Sequence, residues 1–149
     1  MAAPSTWLIY NDFTLNTGKE SYNLSSDTLM VALVTSASNA ISQTLHPATY
    51  SALTYELSTA NGYTATGQQP TTTTWTGGGA STASTLALGN VSWNITGSGV
   101  TFRAAVLYDS ITGYLIGYFL ADSTPADYSV TAGQTLTMVL GNPLDVTRS

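Results

Sequence analysis

The chain has 149 residues, of which 7% are charged, 43% hydrophobic and 10% aromatic, with no cysteine, one histidine and a formal net charge of −5. The length suits one domain with its own core, spanning residues 1–149, and the missing cysteine excludes disulfides, thiolate metal sites and a cysteine nucleophile. Lys19, Arg103 and Arg148 are the only Lys or Arg residues, too few to neutralise a run of phosphates, so nucleic acid is excluded as a partner.

Typical soluble domains are about one-quarter charged, so the polar surface here must consist mainly of hydroxyls and amides. The abundant threonine is β-branched and suits a pleated, half-exposed strand better than a helix, which makes the expected class all-β. Low surface charge also suits a protein held within an assembly better than one kept apart by repulsion. Met1–Ser5 carries no basic residue, and no apolar run reaches the roughly 18 residues that span a bilayer, so neither a secretory leader nor a membrane partner is expected.

In chain order, Trp7-Leu8-Ile9-Tyr10 reads as a first strand closed by a turn at Asn16-Thr17-Gly18. Thr28–Thr35 is apolar on both parities, the pattern of a strand covered on both faces. Leu53 and Leu57, four apart after Ser and Thr caps, allow a helical turn or two. Gly62–Gly67 reads as a turn with an aromatic anchor, and Thr71–Trp75 as a strand running to the exposed, mobile tip Gly77-Gly78-Gly79. Gly89-Asn90 between Thr85–Leu88 and Val91–Ile95 reads as a hairpin connection, with Val91, Trp93 and Ile95 sharing a face. Val100–Tyr108 is the longest predicted strand, Asp109–Gly113 a turn, and Tyr114–Leu120 and Thr135–Leu140 complete a C-terminal meander. About eight strands with at most one short helix predict an antiparallel two-sheet sandwich, with jelly-roll connectivity as one way of winding it.

Chemistry-bearing residues are sparse. His46 is the only histidine able to serve a Ser/His/Asp arrangement, and it precedes Pro47 with no nucleophile-elbow sequence nearby. Asp12, Asp27, Glu56, Asp109, Asp122, Asp127 and Asp145 could furnish a carboxylate pair for glycoside hydrolysis, but most flank turns, where aspartate caps local backbone. Asp122–Asp127 holds two carboxylates without the spacing of a calcium loop, so neither a metal nor another cofactor is expected, and the chain reads as a non-enzyme. Aromatic side chains supply large contact areas at low conformational cost. Trp7 at the N-terminal end and Trp75 beside the glycines are therefore the surface candidates, for a protein interface or for stacking on a glycan.

Several segments in order, Tyr10-Asn11-Asp12-Phe13, Asp27–Thr35, Gly62-Tyr63-Thr64, Val91-Ser92-Trp93, Ala105–Asp109, Leu115-Ile116-Gly117 and Thr131–Leu136, together resemble a family of small tailed-bacteriophage virion proteins, and the resemblance covers most of the chain. It implies a β-sandwich head decoration or cement protein on the outer surface of the capsid, bound to the major capsid protein lattice as a homo-oligomer or symmetric array. A tail or fibre component, or a glycan-binding adhesion module on the particle, is the alternative. For lattice contact the residues singled out are Trp7, Leu8, Tyr10 and Phe13, in a segment 1–13 that acts as an interacting arm or as an edge strand of its own domain, together with Trp75.

Overall fold

A strand that is apolar on both parities needs a layer on each face, and that requirement organises this molecule. The computed structural model describes residues 4–19, 21–78 and 83–147. Its elements are β1 (Leu8–Ile9), α1 (Asp12–Gly18), β2 (Leu29–Val34), a 3-10 turn (Tyr50–Ala52), β3 (Thr73–Gly77), β4 (Ala83–Leu88), β5 (Val91–Asn94), β6 (Val100–Phe102), β7 (Ala104–Asp109), β8 (Leu115–Leu120), β9 (Tyr128–Val130), β10 (Thr135–Met138) and β11 (Gly141–Thr147). The protein is all-β, and among the described residues it has eleven strands where about eight were expected. The surplus arises because long predicted strands break and short ones pair.

Strand β2 lies in a four-stranded antiparallel sheet of order β1-β8-β7-β2. On one face, Leu29, Val31 and Leu33 join Ala105, Leu107, Ile116 and Phe119 in a core shared with β4, β5, β6, β9 and β10. On the other, Ala32 and Val34 join Ala104, Val106, Tyr108, Leu115 and Tyr118 beneath Ala40, Ile41, Tyr50 and Leu53. The long excursion between β2 and β3 is therefore a covering layer. A bulge at Ile116, between the pairs Leu107↔Gly117 and Tyr108↔Leu115, shifts the alternation of β8 by one residue, so that Leu115 and Tyr118 share the outer core and Ile116 and Phe119 the main one.

The same excursion seals the free edge of β2. The Val31 amide donates to the Gln68 carbonyl and the Gln68 amide donates back, the Leu57 amide donates to Leu33 O, the Thr35 amide to Tyr55 O, and the Leu33 amide to the Tyr63 hydroxyl. An apolar edge strand with unmet backbone groups is an aggregation template, and this edge is occupied from Val31 to Thr35. The approach is close: Gly67 has φ +77°, and a Cβ there would stand 1.9 Å from the Val31 carbonyl oxygen, so only glycine fits.

Beyond this sheet the remaining strands pair in nested fashion. β7 pairs with β8, β6 with β9, β5 with β10 and β4 with β11, all antiparallel, while β3 adds to β4. This corrects three expectations. The C-terminal half is not a meander, because from β4 to β11 the only consecutive partners among the described residues are β7 and β8. Gly89-Asn90 is not a hairpin turn; it carries the chain from one sheet to another, held by the Gly89 amide on Thr72 O and the Thr71 amide on Asn90 O. Val100–Tyr108 is not one strand, because it bends at Arg103, whose amide donates to Val34 O and whose carbonyl accepts from Ala121 N, so β6 and β7 enter different sheets.

Helix placement also differs. Leu53–Leu57 is not helical, and the neighbouring turn is a 3-10 segment at Tyr50–Ala52. The α-helix falls at Asp12–Gly18, where a turn was expected, because Phe13 and Asn16 bury one face while Thr14, Leu15 and Thr17 stay exposed.

Tyrosine hydroxyls tie layers together: Tyr10 donates to Ala40 O, Tyr22 to Leu115 O and Tyr108 to Thr66 O. Burial pushes the Tyr22 and Tyr108 phenols up to about 12 and raises Tyr10, Tyr50, Tyr63 and Tyr118 as well. An unfolded tyrosine ionises near 10. Above that pH the unfolded chain releases protons the native state retains, so stability present below pH 10 falls as pH rises. Melting temperature measured against pH should decline progressively above pH 10, with a further rise in phenolate absorbance accompanying unfolding.

Candidate functional site

The N-terminal segment docks on its own domain. The Ser5 amide donates to Leu120 O and the Leu120 amide to Ser5 Oγ, Leu8 and Ile9 pair with Tyr118 and Gly117, and the Tyr10 amide donates to Ile116 O. Trp7, expected at an exposed end, is half-buried: its indole N–H donates to Leu140 O at 2.9 Å and its ring meets Phe119 edge-on at 4.9 Å. Leu8 is likewise half-buried, packed against the outer core. Tyr10 and Phe13 are buried, Tyr10 stacked between His46 and Tyr118 and Phe13 against Tyr22. Of the arm and edge-strand readings, the described residues from Pro4 onward adopt the second; Met1–Ala3 lie outside them. Trp7, Phe13 and Trp75 pack on the main core and Leu8 and Tyr10 on the outer one, so the structure does not bring the five singled-out residues together at one place.

Beside this strand lies an apolar cleft of about 460 Å³ between Pro4–Trp7 and Leu136–Leu140, floored by Phe102, Phe119 and Tyr128. Val139 is 77% exposed at its margin.

Trp75 sits on β3, the outermost strand of the sheet β11-β4-β3, half-buried against the main core. Gly77 and Gly78 next to it are exposed, while Gly79 lies outside the described residues. Thr73, two residues earlier, has the one buried side-chain oxygen among the described residues with no hydrogen-bond partner. As an end strand of its sheet, β3 presents one backbone edge that no strand of that sheet pairs.

His46 stacks on Tyr10 at 4.2 Å, with Nδ1 2.8 Å from Pro47 O and Nε2 3.9 Å from Asp12 Oδ2. A carbonyl can only accept, so Nδ1 carries the proton, and the ring braces the covering layer against β1.

The carboxylates serve local backbone. Asp109 is buried; its Oδ1 accepts from the Ile111 and Thr112 amides and its Oδ2 from the Thr112 hydroxyl. Burial foremost, and then the adjacent Asp27, raise its carboxyl above the ordinary value in spite of those bonds. Asp27 accepts the Asn23 amide. In the stretch once considered for calcium, Asp122 accepts from the Thr124 amide and hydroxyl, and Asp127 pairs with Arg103 Nε at 2.8 Å.

Sequence reading passed over Glu56 as a structural hub. Its Oε1 accepts from the Tyr63 hydroxyl and the Thr66 amide, each at 2.7 Å, and its Oε2 from the Tyr50 hydroxyl. Thr66 has φ +82°, an unfavourable conformation for a β-branched residue, and its amide and carbonyl are held by Glu56 and Tyr108. The signal available beforehand was a lone acid among tyrosines.

Compared with protein-family models, with curated proteins and with solved structures, the chain matches none of them. Its function is therefore argued from its own chemistry.

Two outcomes follow from this geometry. Trp7→Ala should lower unfolding free energy by about 2 kcal/mol, somewhat less than a fully buried tryptophan, measurable by denaturant titration of the isolated protein; an unchanged midpoint would show that the strand contributes nothing at home. Glu56→Ala should cost about 1–3 kcal/mol by stranding the Tyr63 hydroxyl and the Thr66 amide, and Glu56→Gln, which keeps one acceptor, should cost less.

Proposed function

We propose that this chain is a structural virion protein that decorates and stabilises a bacteriophage capsid from outside by binding the lattice of the major capsid protein, without catalysing a reaction. The observation that carries the reading is the nesting of four strand pairs, β4–β11 outermost to β7–β8 innermost, around one shared core. That order supports a jelly-roll reading of the fold, an architecture frequent among viral capsid and lectin domains.

Because an architecture hosts many functions, the surface must support the reading as well. Only two ion pairs occur among the described residues, and one of them requires a protonated histidine. The surface offers hydroxyls and isolated apolar side chains, which suits permanent residence in an assembly. The acidic net charge favours the outside of a shell over contact with packaged DNA. The order and spacing of the segments resembling tailed-phage virion proteins point the same way.

With the N-terminal strand engaged at home, the attachment surface is better sought at the β3 edge, where Trp75 and Thr73 stand. A capsid subunit could extend the sheet there by one strand. Binding that favours the assembled lattice over free subunits shifts the equilibrium towards the intact shell.

The test is co-sedimentation with mature, DNA-filled heads lacking the protein. Saturation at hundreds of copies per head with a raised temperature of genome release is the expected result, and Trp75→Ala should weaken it. A few copies or none would reassign the chain to the tail.

A further inference from the structure

A second concavity, of about 560 Å³, opens where the Asp109–Gly113 turn meets the covering layer, within the range of roughly 300–1,000 Å³ usual for small-ligand pockets. Like the apolar cleft it is lined by uncharged residues, and it combines apolar surface from Met30, Ile111 and the paired rings of Tyr50 and Tyr108 with the hydroxyls of Thr49, Ser51, Ser110 and Thr112. The hydroxyl orientations are set from behind. Ser110 Oγ donates to Thr28 O, and Thr112 Oγ1 donates to Asp109 Oδ2 while accepting from the Tyr114 amide, so each oxygen keeps at least one lone pair for a donor arriving from outside. Thr49 and Ser51 share one hydrogen bond and retain one unused donor between them.

The apolar elements are as specific. Tyr50 and Tyr108 stack at 4.3 Å with 12° between their planes, and their hydroxyls are tied to Glu56 and to Thr66 O. Ile111 stands 68% exposed on the pocket's rim. Thr66, in its left-handed backbone conformation, forms another part of the wall. Such strain persists only where the surroundings over-determine it, and here they hold the wall in a fixed shape before any ligand arrives, which reduces the ordering cost of binding.

We propose that this concavity is a binding site for a neutral saccharide. A charged ligand would find no counter-charge among the lining residues, and a purely apolar one would make no use of the hydroxyl lone pairs that face the opening and would strip them of water. A sugar ring satisfies both demands, with hydroxyls that donate to Ser110 and Thr112 and a C–H face that covers Ile111. The site shares no residue with β3 and does not depend on the capsid reading.

The experiment titrates the full-length, isotopically labelled protein with neutral oligosaccharides of glucose, galactose, mannose and N-acetylglucosamine, with acidic oligosaccharides for comparison, following backbone amide resonances. At least one neutral sugar should shift Ser110, Thr112 and Gly113 saturably. Ile111→Ala and Ser51→Ala, both at exposed positions, should each weaken it about fivefold with no loss of melting temperature, while Val146→Ala leaves it unchanged. Silence of these amides towards every neutral sugar at millimolar concentration would overturn the proposal. So would shifts centred on Trp75, preference for acidic sugars, affinity unaffected by Ile111→Ala, or shifts that follow protein concentration alone and mark a second copy as the occupant.

Discussion

The fold depends on one constraint: the slab formed by β2, β7 and β8 is apolar on both faces, so it is stable only between two layers. One layer consists of the nested strands β4–β6 and β9–β10, whose inward side chains complete the main core. The other is the excursion between β2 and β3, which brings Ala40, Ile41, Tyr50 and Leu53 onto the opposite face. A segment that would pass for a long loop is thus as necessary as a strand, because without it Val34, Val106 and Tyr108 would lie open to water.

Covering a sheet with irregular chain raises a second difficulty, the satisfaction of buried backbone groups. In a chain of such low charge the solution uses tyrosine hydroxyls and one carboxylate. Glu56 gathers Tyr50, Tyr63 and Thr66, and Tyr63 in turn accepts the Leu33 amide on the edge of β2. The network fixes the layer on the sheet and seals its edge together. It also fixes the strained turn that walls the hydroxyl-lined concavity, so the covering layer and the proposed sugar site share one support.

The functional reading and the architecture meet at the strand edges. One end of the four-stranded sheet is closed by β2's covering layer and the other by β1, which the chain supplies itself. The three-stranded sheet ends in β3, where Trp75 and the unpartnered Thr73 hydroxyl stand.

The sequence by itself determined the class. Its threonine content and glycine-punctuated apolar runs point to an all-β protein, the double-parity pattern of Thr28–Thr35 to a strand buried on both faces, the alternation of Val91, Trp93 and Ile95 to one inward face, and Asp109–Gly113 to a turn; the structure shows each of these. Local pattern does not carry pairing partners, because strands separated by many residues have the same period whether they pair with neighbours or nest. Gly89-Asn90 looks like a hairpin turn until Thr71 and Thr72 arrive from elsewhere to hold it, and Val100–Tyr108 alternates smoothly through the bend that Val34 and Ala121 impose at Arg103. The sites were less legible still. Trp7 and Tyr10 read as surface aromatics because nothing near them in sequence buries them, whereas Leu140, Phe119 and Ala40 do so from far along the chain. Glu56 and the hydroxyl-lined concavity are made wholly of such long-range neighbours, so only the tertiary structure decided them.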